Sequence, residues 1–389
     1  MNTDRFLLGA DLSLAKRIVD AGGQYRHDGR EAPLLEILSD AGMNCGRLRI
    51  FHQPTGHGAQ VNDLEYTLDL AGRLDAAGLA LYLAPHYSDG WADPAKQYPP
   101  KEWAALTFPK LVDAVYEYSR ELLGTFRRRG LIPRIVQVGN EITPGMLWDH
   151  GRIAPAHSTA SLHWETVRLG SDEREKWARF GELLKAGVAG VRDGLGPHST
   201  EIMLHIDRGG DWETSSWFYS NIAEQNVPYD VIGLSYYPFW HGTPSQLQEN
   251  CLRLLDRFGK GIHLAEMAYP FRGHMFYNAS LCGDQEIWEE ITREYPLSPA
   301  GQRRFVEDVC RIIRDLPEGG GRGVFYWAPE WIPLPGFEDE PDAETCWARA
   351  LFDDQGVALP ALDAFARFAA DTARRPRSPS RQPATTRPA

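Results

Sequence analysis

The sequence predicts an α/β fold, a single (β/α)8 TIM barrel, on three observations. Short apolar runs alternate with longer amphipathic stretches through eight units, strand before helix in each. Links from a helix to the next strand are mostly short, whereas those after the third, fourth and seventh strands are long. No G-x-G-x-x-G follows the first run, the turn by which an open doubly wound sheet announces itself.

The strands come first. Residues 6–9 read Phe-Leu-Leu-Gly, a continuous apolar run. Such runs of about 4–6 residues mark strands of a parallel sheet, which is buried on both faces. Residues 45–50, 80–84, 135–138, 202–205, 231–235, 262–265 and 323–326 share this character. Between them, residues 34–41, 64–77, 108–129, 174–191, 215–225, 244–258, 299–316 and 360–370 carry apolar side chains at helical spacing. The long links 85–107, 139–172 and 266–298 are strand-to-helix loops. In a barrel these lie on the C-terminal face, where Trp and Tyr residues would wall a cleft.

Composition narrows the function. The 389 residues hold 41 Lys+Arg against 53 Asp+Glu, a net charge of −12. That balance excludes a basic face of the kind that neutralises nucleic-acid phosphates, and it disfavours an anionic membrane surface. No stretch reaches the ~18–20 apolar residues of a membrane span. The first residues hold only a short apolar run bracketed by Asp4 and Asp11, which is not a signal peptide. A cytoplasmic chain is expected, or a secreted one whose signal lies outside it. Cys45, Cys251, Cys282, Cys310 and Cys346 are odd in number and widely spaced, so reduced structural thiols are expected. The barrel is expected over residues 1–373. Residues 374–389, rich in Arg and Pro with no large apolar side chain, read as a disordered tail.

Two carboxylates carry the chemistry. Val136-Gln137-Val138-Gly139-Asn140-Glu141 ends the fourth strand with an Asn-Glu pair at its tip. Glu266 ends the seventh strand, His263-Leu264-Ala265-Glu266. Those strand ends face each other across the barrel mouth. Two carboxyl groups across a cleft are what glycoside hydrolysis requires: one protonates the leaving oxygen, the other attacks the anomeric carbon or activates water. Asn140 can hold a sugar hydroxyl. A single strand-end carboxylate is ordinarily structural; the pair is not.

At these residues the chain resembles glycoside hydrolase family 53, the β-1,4-galactanases. The resemblance rests on Val-Gly-Asn-Glu-Ile-Thr-x-Gly-Met-Leu-Trp at Val138 to Trp148 and on His-Tyr-Ser-Asp-x-Trp-Ala-Asp-Pro at His86 to Pro94. It recurs at Gly9-Ala10-Asp11, Arg47-Leu48-Arg49, Met203 to Asp207, Ile232 to Pro238, Glu266 to Pro270 and Gly323 to Trp327. It implies a retaining endo-acting enzyme on β-1,4-galactan, with Glu141 as acid/base, Glu266 as nucleophile and Asn140 on the 2-hydroxyl. Its substrate is a polysaccharide or oligosaccharide. No cofactor, nucleic acid, membrane or second subunit is called for. Two departures touch the cleft floor or rim. The family's Glu in a Tyr-Trp-Glu-Pro run is Ala328 here, with Glu330 two residues on. Its Asp two residues before the motif's His is Ala84. Some members hold Ca²⁺ in the loops after strands seven and eight. No residue set here matches that site, and no H-E-x-x-H, EF-hand or Cys-x-x-Cys motif is present, so no metal is expected.

The remaining candidates admit two readings each. Arg47 and Arg49 fall on one side of the second strand, with Leu48 opposite; an inward arginine would keep the nucleophile ionised, an outward one would form a salt bridge. His86 bonds sugar, orients a carboxylate, or is structural. Asp89 and Asp93 face substrate or hold their own loop's amides. His205 and Asp207 steer Glu266 or the sugar, and Tyr236 bonds the nucleophile, as tyrosines in related barrels do. Trp91, Trp148, Trp240, Trp327 and Trp331 are stacking platforms for the C–H face of galactose, or core. Two other functions stay open: a related β-glycosidase on another plant glycan or on short oligosaccharides, and a carbohydrate-binding barrel without catalysis. Both glutamates speak against the latter.

Overall fold

The computed structural model describes residues 5–154, 173–273, 285–334 and 343–374. Eight strands close into a parallel barrel: β1 (Leu7–Asp11), β2 (Cys45–Ile50), β3 (Ala80–Pro85), β4 (Ile135–Gln137), β5 (Glu201–Ile206), β6 (Val231–Tyr236), β7 (Gly261–Met267) and β8 (Gly321–Trp327). Each neighbours the next in sequence, and β8 closes on β1 with Leu7 beside Gly323. The matching outer helices are α1 (Leu34–Asp40), α2 (Leu64–Ala76), α3 (Phe108–Arg128), α4 (Glu173–Leu195), α5 (Trp212–Glu224), α6 (Pro244–Phe258), α7 (Pro299–Arg314) and α8 (Pro360–Arg374). The TIM barrel and its eight units are as the sequence predicts.

The boundaries that moved have local causes. β4 stops at Gln137 because Gly139, at φ 79°, turns the chain out of the sheet. α5 begins three residues before residue 215 because the Asp211 side chain caps it, accepting from the Thr214 amide at 3.0 Å. Short helices Ala15–Asp20, Pro238–His241, Gln285–Glu294 and Ala343–Arg349 and a hairpin pairing Arg26–His27 with Arg30–Glu31 were not expected; most are too short to show a period. α8 runs one residue into the expected tail, and residues 375–389 lie outside those described. Cys45, Cys251, Cys310 and Cys346 are buried free thiols; Cys282 lies outside the described residues. No helix among the described residues is long and apolar enough to cross a membrane.

Strand alternation builds two cores. Outward residues such as Leu48, Ile50, Leu204, Ile232 and Leu264 pack under the helices. Inward residues Leu7, Cys45, Tyr82, Ile135, Met203, Val231 and Phe325 fill the barrel's lower interior. Burial of each large aliphatic side chain contributes about 1.5–3 kcal/mol. Gly9 is required there: a Cβ would lie 2.4 Å from the Cys45 carbonyl and 2.7 Å from the Phe325 ring. The apolar plug ends about halfway up the strands. Above it the inward positions turn polar.

Candidate active site

Glu141 stands just past β4. Gly139 makes the turn, and Glu141 itself adopts φ 46°, a left-handed conformation that a non-glycine residue keeps only where its surroundings hold it. Those surroundings are visible. The buried Gln97 carboxamide donates to the Asn140 carbonyl at 2.7 Å and the Glu141 carbonyl at 3.2 Å. The Glu141 Oε1 lies 2.6 Å from the Ser235 hydroxyl. Burial first, then the charges of Glu266 and Asp207, push this carboxyl well above the ordinary range.

Glu266 reaches the mouth by a different device. Along β6, Leu234 pairs with Leu264 but Ser235 already pairs with Glu266; along β8, Val324 pairs with Leu264 and Tyr326 with Met267. Both registers show one extra residue in β7 at Ala265–Glu266, a bulge that re-aims a side chain. Ala265 fills the interior and Glu266, next in sequence, still meets the polar centre. Its Oε1 lies 2.8 Å from Arg47 Nη2 and its Oε2 accepts from the Tyr237 hydroxyl at 2.8 Å. Burial raises this carboxyl, and Arg47 and Tyr237 offset only part of that rise, so it stays above the ordinary range.

Arg47 is the hub. It is 1% exposed, and it donates to Asp11 Oδ2 at 2.5 Å and Asn140 Oδ1 at 2.8 Å while pairing with Glu266. Asn140 Oδ1 also accepts from Gln137 Nε2 at 2.9 Å, and its Nδ2 donates to the Ala92 carbonyl at 2.9 Å. His205 joins Asn140 to Ser235, with Nδ1 3.2 Å from Asn140 Oδ1 and Nε2 2.9 Å from Ser235 Oγ. Glu141, Glu266, Asn140, Arg47 and His205 thus form one connected group.

Other candidates fall elsewhere. Tyr236 is a correction: it points outward, donates to the Gly242 carbonyl at 3.0 Å and stacks on Phe305, so the hydroxyl on Glu266 belongs to Tyr237. Tyr237 shares the inward parity of Val231 and Ser235, a signal that alternation carried. Asp89 is a second correction: its two oxygens accept from the Gln53 amide at 3.0 Å and the Lys101 amide at 2.8 Å, which pins the loop. Arg49 is inward but stands behind Arg47, bonded to Asn62 at 3.1 Å with its guanidinium 4.1 Å from the Trp91 ring centre. Asp207 accepts from Thr143, and its charge acts on Glu141. His86 is buried, accepts from the Ala92 amide at Nδ1, and is held neutral by burial and by Arg47 and Arg49.

The tryptophans divide. Trp91 and Trp327 are half-buried, 6.5 Å apart, and Trp327 is 6.5 Å from Tyr237, so both flank Glu266's side of the mouth. Trp148 is 6% exposed, with the Arg152 guanidinium 4.4 Å from its ring centre. Trp331 is buried; Trp240 packs at 5.5 Å from Tyr237. Sequence reasoning missed Asp11, Gln137, Ser235 and Gln97 as parts of the centre. The loops after β7 and β8 pass through residues 274–284 and 335–342, outside those described; among the described residues no group of three or more His, Cys, Asp or Glu converges to hold a metal ion.

Glu330, two residues past the departure at Ala328, is fully buried beside this centre. Its Oε1 accepts from the Leu14 amide at 3.3 Å, and burial, with Asp11's charge, pushes the carboxyl up to about 8. The unfolded value is near 4.5, so below that both states hold the proton. Between about 4.5 and 8 only the folded state keeps it, and stability falls as pH rises. Glu330→Gln stays neutral throughout. Denaturant unfolding from pH 5 to 9 is expected to show wild type losing a few kcal/mol more than the variant. Parallel curves would show that Glu330 ionises normally.

Comparison with known proteins follows the same line. The sequence profile of glycosyl hydrolase family 53 matches residues 7–365. An uncharacterised protein of Niallia circulans is 40% identical, covering 86% of this chain and 86% of its own. The arabinogalactan endo-β-1,4-galactanase of Humicola insolens is 30% identical, covering 92% of this chain and 98% of its own. The solved family 53 catalytic domain of Ignisphaera aggregans superposes with a TM-score of 0.78 at 32% identity, covering 94% of this chain and 96% of that one. A barrel whose fourth and seventh strand ends bring two buried glutamates into one hydrogen-bonded group, matched along nearly its whole length by these proteins, belongs to glycosyl hydrolase family 53.

Proposed function

We propose that the protein is a retaining endo-β-1,4-galactanase that hydrolyses galactan by double displacement, with Glu141 as acid/base and Glu266 as nucleophile. The observation that carries the roles is the unequal company of the two carboxyls. Glu266 has a guanidinium at 2.8 Å and a phenol at 2.8 Å, both of which favour its ionised form. Around Glu141, burial and the like charges of Glu266 and Asp207 favour its protonated form. Two acids pushed apart in this way take opposite tasks.

The steps follow. Glu141 gives its proton to the bridging oxygen as the Glu266 carboxylate bonds to C1 and the leaving sugar departs. Water then attacks C1, Glu141 takes its proton, and Glu266 is released with the β configuration restored. This chemistry needs the two carboxyls about 5–5.5 Å apart. One amide hydrogen of Asn140 is committed to the Ala92 carbonyl, and the other serves the 2-hydroxyl. Trp91 and Trp327 offer ring faces to the galactosyl C–H groups. The galactanase name of the Humicola insolens relative supports β-1,4-galactan as substrate.

The test is product analysis on galactan beside xylan, mannan and cellulose, with the anomer followed by NMR. Short galactans released first as the β anomer are expected. An initial α product would overturn retention. Preference for another glycan, or for short oligosaccharides with no internal cleavage of polymer, would move the protein to a neighbouring β-glycosidase activity.

A further inference from the structure

The Ser235 hydroxyl lies between two groups that each ask for its proton. Glu141 Oε1 is 2.6 Å away on one side and His205 Nε2 is 2.9 Å away on the other. The demand of His205 is fixed from behind. Arg47 has only donors, so the Asn140 atom facing it is the carbonyl oxygen. That oxygen lies 3.2 Å from His205 Nδ1, which must therefore carry hydrogen. Burial, and the charge of Arg47, hold the imidazole well below its ordinary value, so it is neutral and Nε2 presents a lone pair. A hydroxyl has one hydrogen. If it goes to His205, the hydroxyl can only accept from Glu141, and Glu141 must be the acid. If Glu141 is ionised, the hydroxyl turns to it and leaves Nε2 without a donor from Ser235.

We propose that Ser235 and His205 are positioning residues that select the protonated form of Glu141, because only then are imidazole, hydroxyl and carboxyl satisfied together. This rests on the reading of Glu141 as proton donor. During the first step the O–H of Glu141 turns from Ser235 to the bridging oxygen and gives up its proton there, and the Ser235 hydroxyl swings from Nε2 to Oε1 to take up the new charge. When water later returns a proton to Glu141, the hydroxyl swings back. No proton leaves Ser235 in either movement. The charged groups facing Glu141 are Glu266 from β7, Asp207 from the end of β5 and Asp93 from the loop after β3; all three favour the same form. Those facing His205 are Arg47, Asp207, His86 and His241, of which Asp207 opposes neutrality.

The sign of one substitution decides it. A plain donor to a carboxylate lowers its pKa, so Ser235→Ala would then raise that of Glu141. Under the proposal Ser235→Ala frees Glu141 from the chain and lowers its pKa, by about one pH unit. Titration of the Glu141 carboxyl carbon by NMR reads this directly and uses no substrate, so it stands apart from the galactanase reading. Ser235→Thr keeps the hydroxyl and is expected to restore the wild-type value. ¹⁵N spectra of wild type are expected to show His205 neutral with hydrogen on Nδ1. An upward shift or no shift in Ser235→Ala, or a His205 found as imidazolium or as the Nε2–H tautomer, overturns the proposal. Should Ser235→Ala not fold, the ¹⁵N spectrum of the wild type decides alone.

Discussion

Glu266→Gln is expected to reduce galactan hydrolysis by at least about four orders of magnitude, because nothing else in the centre can form the covalent intermediate. Glu141→Gln is expected to behave differently. It removes protonation of the leaving oxygen, worth about 10²–10⁴-fold on a sugar leaving group. An activated aryl galactoside needs little such help, so its first step is expected to fall less than about tenfold. Rates of aryl release before the steady state measure this step in both variants. Equal losses on galactan and aryl substrate in Glu141→Gln would reject the acid assignment. A second consequence follows from the electrostatics. Glu266's charge is among the causes that raise Glu141, so Glu266→Gln is expected to bring the Glu141 carboxyl down. Its titration in the inactive variant checks this.

Arg47→Met is expected to harm both fold and chemistry. The guanidinium is buried between Asp11 at 2.5 Å and Glu266 at 2.8 Å, and it also holds Asn140 at 2.8 Å. Removing one partner of a buried ion pair leaves charge uncompensated and costs about 3–5 kcal/mol. Arg49, 3.4 Å from Asp11, offsets part of that for Asp11, while its charge reaches Glu266 more weakly than that of Arg47. The Glu266 carboxyl is therefore expected to rise. The acid limb of kcat/KM, which requires Glu266 ionised, moves to higher pH. Misplacement of Asn140 and Glu266 lowers kcat by a further factor of about 10². Denaturant unfolding and a pH–rate profile test the two effects separately. A stable variant with an unmoved acid limb would show that Arg47 carries neither.

Much of this could be read from the residues in order. The barrel was legible because its signal is local and repeated: a parallel strand covered on both faces must be apolar throughout, and a helix on a sheet must be apolar on one stripe. The two glutamates were legible because they end such strands, where no core position could accept them. Arg47 and Arg49 were correctly placed on one side of β2 by alternation alone. Alternation also held the information that separates Tyr236 from Tyr237, since Ser235 fixes which parity faces inward. Asp89 was beyond it, because a carboxylate in a loop serves backbone amides or substrate with the same sequence around it.

The tertiary structure decided the rest, for a physical reason visible at Glu266. Simple alternation from Ala265 would turn Glu266 away from the interior. Its arrival at the centre depends on an extra residue in β7, which exists only as a mismatch of register against β6 and β8. The unequal settings of the two carboxyls likewise come from Arg47 on β2, Ser235 on β6, Tyr237 beyond it and His205 on β5. The sequence by itself determined which side chains stand at the mouth of the barrel. Which of them holds a proton, and for whom, depends on distances of about 3 Å between residues far apart in the chain, and only closure of the barrel sets those.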